Sequence, residues 1–196
     1  SFTIPGLTPN TTYYYQVYGN NQAGNSFSAP FSFTTSAAPP SIAEYNFNNS
    51  TYNNSNATNP FLSNSGTSFV TDRDDVTPNG ALYINNTGTT APIASLPSGN
   101  SPRSVSIWIK PNTIAYFNYL FGYGTQTNNN AYGFSFNASG INNFGWANDV
   151  TDATAIVANV WTHIVTTYDE VGMARIYING VLKKSASKTN WNTAID

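Results

Sequence analysis

Trp146-Ala147-Asn148-Asp149 sets an indole ring, a carboxamide and a carboxylate in one short stretch. That combination suits sugars. An aromatic ring stacks on the apolar face of a pyranose while amide and carboxylate groups bond its hydroxyls, in a shallow site on a sheet face or its rim loops. Tyr116, Tyr119, Tyr123 and Tyr132 fall on or near neighbouring strands. Trp146, Asn148, Asp149, Tyr123 and Tyr132 therefore form the candidate ligand-binding set. Core packing is the competing reading for Trp146, and strand parity decides the tyrosines. Asp72, Asp74 and Asp75 offer a second chemistry, three carboxylates in four residues, because calcium takes several oxygen ligands. Asp72 and Asp74 are the candidate metal ligands. Asp72 reads equally as a turn cap or a partner of Arg73, and Asp74 and Asp75 as exposed rim groups. Asp149 and Asp152 make a second acidic pair. Catalysis has little to draw on. The chain has no cysteine, which excludes a thiol nucleophile and a zinc–thiolate site. His163 is its one histidine, so a Ser–His–Asp arrangement would have to use it. A lone histidine in a strand reads first as a structural group.

Composition narrows the class. Charged residues are 8% of the 196-residue chain, against about a quarter in ordinary globular domains. Asn, Thr, Ser and Tyr take their place. Aromatics at 15% argue against disorder, and the mixture fits an all-β protein. A net charge of −2 gives no reason to expect nucleic acid or an acidic membrane surface. No apolar run approaches the roughly 18 residues that a membrane-spanning helix needs. The Asn-x-Ser/Thr triplets at Asn10, Asn48, Asn49, Asn53, Asn56, Asn85 and Asn137 arise readily by chance in so Asn-rich a chain.

The elements that must position these groups are organised around residues 161–182. His163, Val165 and Thr167 alternate with Thr162, Ile164, Thr166 and Tyr168. Ala174, Ile176 and Ile178 alternate with Arg175, Tyr177 and Asn179. Period-two alternation of β-branched and aromatic residues predicts two strands. Asp169–Gly172 supplies the turn between them, and Asn179-Gly180 a tight turn after the second. The pattern W-T-H-x-x-x-T-Y-D followed by Y-x-N-G, carried by Trp161, Thr162, His163, Thr167, Tyr168, Asp169, Tyr177, Asn179 and Gly180, resembles the laminin-G-like, concanavalin-A-like jelly-roll family. Val105–Pro111 is similar to that family's x-S-x-W-x-K-P strand, and residues 68–84 to its passage from a strand through an Asp-Arg rim loop into another strand. The resemblance implies an antiparallel jelly-roll sandwich over residues 43–196, with Trp108 and Trp161 as core anchors. It also implies one Ca²⁺ at the sheet rim, with Asp72 at the family's Asp-Arg position. The glycine-rich first loop of the family is replaced by the polar run 48–59, with Asn53 where its Asp stands. Glu44–Phe47 reads as the first strand. After Leu182 the family's last two strands are missing, so the domain reads as unfinished. Hydrolases on this fold carry E-x-D-x-E on one strand. Here Glu44 and Glu170 are the only glutamates, and no such motif occurs.

Upstream, Leu7, Pro9, Thr11 and Tyr13 resemble the L-x-P-x-T-x-Y corner of fibronectin type III domains. In that corner the tyrosine hydroxyl bonds back to upstream backbone. Residues 1–35 read as the C-terminal part of such a domain, and 36–42, with Pro39-Pro40, as a stiff linker. The resemblances imply a non-catalytic, secreted or bacterial cell-surface module that binds a glycan or polysaccharide. Its other partners are neighbouring domains of the same polypeptide. A structural spacer and an ancillary module of a polysaccharide-degrading enzyme are the alternatives. An exposed aromatic cluster on the sheet face favours glycan binding.

Overall fold

The structure is a computed structural model that describes residues 4, 7–37, 41–54, 60–62, 66–85, 88–93 and 95–195. Pro39-Pro40 of the expected linker and the triplet at Asn56 lie outside the described residues. Every regular element among the described residues is a strand. β1 (Thr12–Tyr15) and β4 (Phe31–Thr34) pair antiparallel, and β2 (Tyr18–Asn21) pairs with β3 (Gly24–Phe27). Tyr13 accepts a hydrogen bond from the Thr8 backbone N–H at 2.8 Å, the contact that the corner motif implies. Tyr13 stacks on Phe33, and Tyr15 on Phe31, along one face. Tyr15 and Phe31 remain about half exposed, at 47% and 50%.

β5 (Thr67–Val70) and β6 (Ala81–Ile84) form a hairpin. The sandwich follows from two four-stranded antiparallel sheets. β7 (Arg103–Ile109) belongs to one and β8 (Asn118–Gly124), β9 (Ala131–Asn137), β10 (Gly140–Phe144) and β11 (Val150–Asp152) make the other, in the order β11-β10-β9-β8. β12 (Thr162–Tyr168), β13 (Met173–Ile178) and β14 (Val181–Ser187) complete the first sheet, in the order β14-β13-β12-β7. The alternation read from the sequence sets the inner faces. Ile164, Thr166 and Tyr168 of β12 and Ala174, Ile176 and Ile178 of β13 point inward. They meet Tyr132, Phe134 and Phe136 of β9 and Ile141 of β10 in one core. Each fully buried Ile or Phe contributes about 1.5–3 kcal/mol. The hairpin turn is built by Asp169, whose Oδ1 accepts the backbone N–H groups of Val171 and Met173, while Oδ2 pairs with Arg175 at 2.7 Å. Asn179-Gly180 turns with φ of 49° and 79°, as a tight hairpin requires. The Asn179 Oδ1 also accepts the His163 backbone N–H at 2.9 Å, which ties the turn to the start of β12.

Two expectations are corrected. Glu44–Phe47 is not a strand, because the Asn53 and Asn54 side chains accept the backbone N–H groups of Glu44 and Asn46 that a ladder would use. Trp108 is no core anchor. It is 42% exposed on the outward face of β7, since inward parity belongs to Ile109. Past Leu182, the chain continues β14 to Ser187 and returns to the core. β14 pairs with β13, Trp191 is 1% exposed in the core, and Thr193 bridges to Gly99.

Arg103 ties these parts together. It is 7% exposed. Its guanidinium donates to the carbonyls of Pro97, Gly99 and Ser101, to the Tyr123 hydroxyl and to the Thr193 hydroxyl. It lies over the Tyr132 and Tyr168 rings at 5.1 and 5.3 Å. A lysine cannot serve these fixed acceptors with one ammonium. Arg103→Lys is expected to lower the unfolding free energy by roughly 2 kcal/mol or more, as buried acceptors lose their donors. Urea denaturation measures this, and an unchanged midpoint would show that the fork of hydrogen bonds adds nothing.

Candidate functional site

The register of the second sheet builds the site on its outward face. Pairing sets Tyr119 opposite Ser135, Ser135 opposite Asn142, and Asn142 opposite Thr151, a single row across four strands. The adjacent row runs Gly122, Gly133, Phe144. The two glycines leave room for the Phe144 ring to lie flat across the sheet; a Cβ at either would meet that ring. The result is an open cleft of about 190 Å³ lined by Phe117, Tyr119, Ser135, Asn142, Phe144, Trp146, Ala147 and Asp149. Its rings form a succession. Tyr116 meets Phe117 at 4.9 Å, Phe117 stacks on Tyr119 at 6.1 Å, Tyr119 meets Phe144 edge-on at 5.9 Å, and Phe144 meets Trp146 at 6.4 Å. Tyr116 and Tyr119 are 85% and 65% exposed. The polar side is ordered too. Thr151 donates to Asn142 Oδ1 at 3.0 Å, and Asn142 Nδ2 donates to Asp149 Oδ2 at 3.1 Å.

The loop that carries Trp146 is pinned from behind. Trp146 and Ala147 both take left-handed backbone, with φ of 64° and 58°, a conformation that costs non-glycine residues energy and needs outside support. Support comes from the C-terminal segment. Trp191 packs against Gly145, where only a residue without Cβ fits, and its indole N–H donates to the Asn148 carbonyl at 2.8 Å. The Asn148 side chain donates to Asn129 Oδ1 and accepts from Lys188 Nζ. Asn129 in turn donates its backbone N–H to the Trp146 carbonyl.

Trp146 and Asp149 of the sequence-derived set thus line the cleft together. Asn148 lies beside it, with its amide committed to Asn129 and Lys188. Tyr132 is corrected: it is fully buried, points into the core, and donates to Thr166 at 3.1 Å. Burial pushes its phenol up to about 12. Tyr123 also points inward, half-buried, donating to the Pro97 carbonyl and accepting from Arg103. For Tyr123 this follows from the bulge between Tyr119 and Phe121, which sends Tyr119 outward and Tyr123 inward, opposite Tyr132. Phe117, Phe144, Ser135 and Asn142 were missed. Phe144 looks like a core residue in sequence, and only its glycine partners two strands deep reveal its place.

Asp72 and Asp74 lie in the β5–β6 connection. Asp72 Oδ1 accepts the backbone N–H groups of Asp74 and Val76. Desolvation raises its pKa, but bonds from Thr77, Val76 and Asp74 outweigh that and hold it below the ordinary value. Asp74 faces Arg73 at 3.8 Å. Asp72 thus closes its own turn, and Asp74 is an exposed group beside Arg73. No group of three or more His, Cys, Asp or Glu that could hold a metal occurs among the described residues. His163 stacks on Trp108 at 4.8 Å and shares a hydrogen bond with the Ser106 hydroxyl at 2.8 Å. The Arg73 guanidinium lies over the Trp108 ring at 4.9 Å. This cluster sits on the outward face of the other sheet.

Sandwich and cleft define a jelly-roll protein of lectin type in architecture. Residues 79–195 match the Laminin_G_3 family, the concanavalin A-like lectin/glucanases superfamily, and the chain belongs to that superfamily. No curated protein matches it. Among solved structures it is similar to a protein from Bacteroides ovatus ATCC 8483 named for a proposed role in carbohydrate binding, with 11% identity and a TM-score of 0.43. The similarity covers 95% of this chain and 44% of that one, so the chain spans less than half of its length.

Two outcomes are expected. Partial burial, with Arg73 nearby, holds the His163 pKa below 6.5. The unfolded chain therefore takes up this proton first on acidification. Stability is full above pH 6.5 and falls as pH drops below it, until the folded form also protonates. Asp72, Asp152 and Asp169, whose values are lowered, lose their contributions only below the ordinary 3.8. Thermal melts across pH should show this first loss just below 6.5, and His163→Gln should flatten it. Gly133→Ala forces a methyl into the Phe144 ring and the Phe121 carbonyl. It should cost about 1–3 kcal/mol, as overpacking does, and alter the near-ultraviolet circular dichroism; an unchanged spectrum and melt would show that Phe144 does not rest on this glycine.

Proposed function

We propose that the chain is a non-catalytic carbohydrate-binding module, secreted or displayed at a bacterial cell surface, that holds a glycan in the aromatic cleft. One observation carries this reading: the exposed rings of Tyr116, Phe117 and Tyr119 and the half-buried Trp146, bridged by the buried Phe144, stand beside an ordered row of hydroxyl, amide and carboxylate groups. Rings supply stacking against apolar sugar faces, and the row supplies directional bonds to hydroxyls. A fixed sheet also costs a ligand little ordering of the protein. Glycoside hydrolysis uses two carboxyl groups across the scissile bond. Asp149 is the one carboxylate among the described residues that line the cleft, which supports binding without cleavage. The Asn-, Thr- and Tyr-rich, cysteine-free composition supports the surface location.

Glycan-array binding with isothermal titration on the best ligand tests the reading. Tyr119→Ala and Trp146→Ala should each weaken binding roughly tenfold, about 1.4 kcal/mol, with melting temperatures kept near that of the parent chain. Trp108→Ala, on the opposite face of the sandwich, should leave binding unchanged. A chelator should also leave it unchanged, since Asp72 and Asp74 are engaged with protein groups. Equal loss in the Trp108 variant would place the glycan elsewhere.

A further inference from the structure

We infer that the ligand is an internal segment of a neutral polysaccharide chain, not a terminal sugar and not an acidic glycan. This rests on the glycan-binding reading above and sharpens it. The rings decide the chain character. Tyr116, Phe117, Tyr119, Phe144 and Trp146 each lie within 6.4 Å of the next, and although Phe144 is buried, the exposed first three rings and the half-buried Trp146 spread the apolar surface over several rings rather than one. A single sugar covers one ring of such a surface and leaves the others in water. A chain that presents successive apolar faces covers several at once, and its affinity grows with length.

The shape agrees. The cleft is open along the sheet face, and the exposure of Tyr116 and Tyr119 falls at one end of the ring succession. A chain can enter and leave such a groove with both ends free, whereas recognition of a terminus favours an enclosing pocket. The charge decides neutrality. Asp149 is the only ionisable acid or base among the described lining residues apart from the Tyr119 phenol, so the cleft carries no Lys or Arg to pair with a uronate or sulfate. Its carboxylate, steadied by Asn142, which is itself steadied by Thr151, accepts from hydroxyls and repels anionic sugars.

Titration calorimetry and affinity electrophoresis on the whole chain test this. The probes are mixed-linkage β-glucan, glucomannan, arabinoxylan and galactan as neutral polymers, with alginate and heparin as acidic ones. Oligosaccharides of one to six sugars come from the neutral polymer bound best. A neutral polymer should bind, its hexasaccharide at least tenfold more tightly than its disaccharide, with no binding of the monosaccharide. Alginate and heparin should not bind at matched ionic strength. A monosaccharide bound as tightly as the hexasaccharide would overturn the chain assignment alone. Preference for an acidic polymer would overturn neutrality alone. Retention of none of these glycans by the folded chain would overturn this inference together with the glycan-binding reading.

Discussion

A buried guanidinium holds this sandwich together. Arg103 stands at the head of β7 with 7% of its surface exposed, and it forms no ion pair among the described residues. An uncompensated charge in that position would cost several kcal/mol. Five acceptors and two aromatic faces offset the cost. Those partners come from the rim segment 97–101, from β8, from β9, from β12 and from the C-terminal segment. The charge can be buried only when all of them are in place, so one residue couples both sheets and the chain end to a single arrangement. This is how a chain with so few charges gains specificity from one of them.

The same C-terminal segment links the core to the cleft. Trp191 packs on Tyr132 and Tyr168, the rings that sandwich Arg103 from the core side. Its indole N–H then holds the Asn148 carbonyl, and its ring fills the space over Gly145. The left-handed backbone at Trp146 and Ala147 is thus held by residues far away in sequence. The two outward faces differ in kind. On the first sheet the exposed Trp108 stacks on His163 and lies under Arg73, a contact that reaches the β5–β6 connection. On the second sheet Phe117 stacks on Tyr119 while the other neighbouring rings meet edge-on, and Tyr116, Phe117 and Tyr119 keep open surface beside polar groups.

Much of the fold was legible in local pattern. Alternation in residues 162–178 set both strands, their inward faces and the turns at Asp169 and Asn179-Gly180, because side-chain parity in a strand is a property of the sequence itself. The family motif added the antiparallel sandwich. Within the candidate site the sequence determined composition: a Trp beside Asn and Asp, with tyrosines nearby. Trp146, Asp149 and Tyr119 do meet in the cleft.

Tertiary structure decided the rest, for reasons of register and distance. A one-residue bulge in β8 turns Tyr119 to solvent and Tyr123 to the core, and bulges leave no reliable mark in sequence. Gly122, Gly133 and Phe144 become one row only through pairing across three strands. Asp72 Oδ1 accepts neighbouring backbone amides, a pairing set by turn geometry. Arg103 and Trp191 gave no signal at all, since the value of a buried cation or a tail tryptophan lies in partners that are distant along the chain. The sequence alone therefore determined strands, faces and chemical vocabulary. Which side chains share a surface was settled by long-range pairing, where a shift of a single residue exchanges core for cleft.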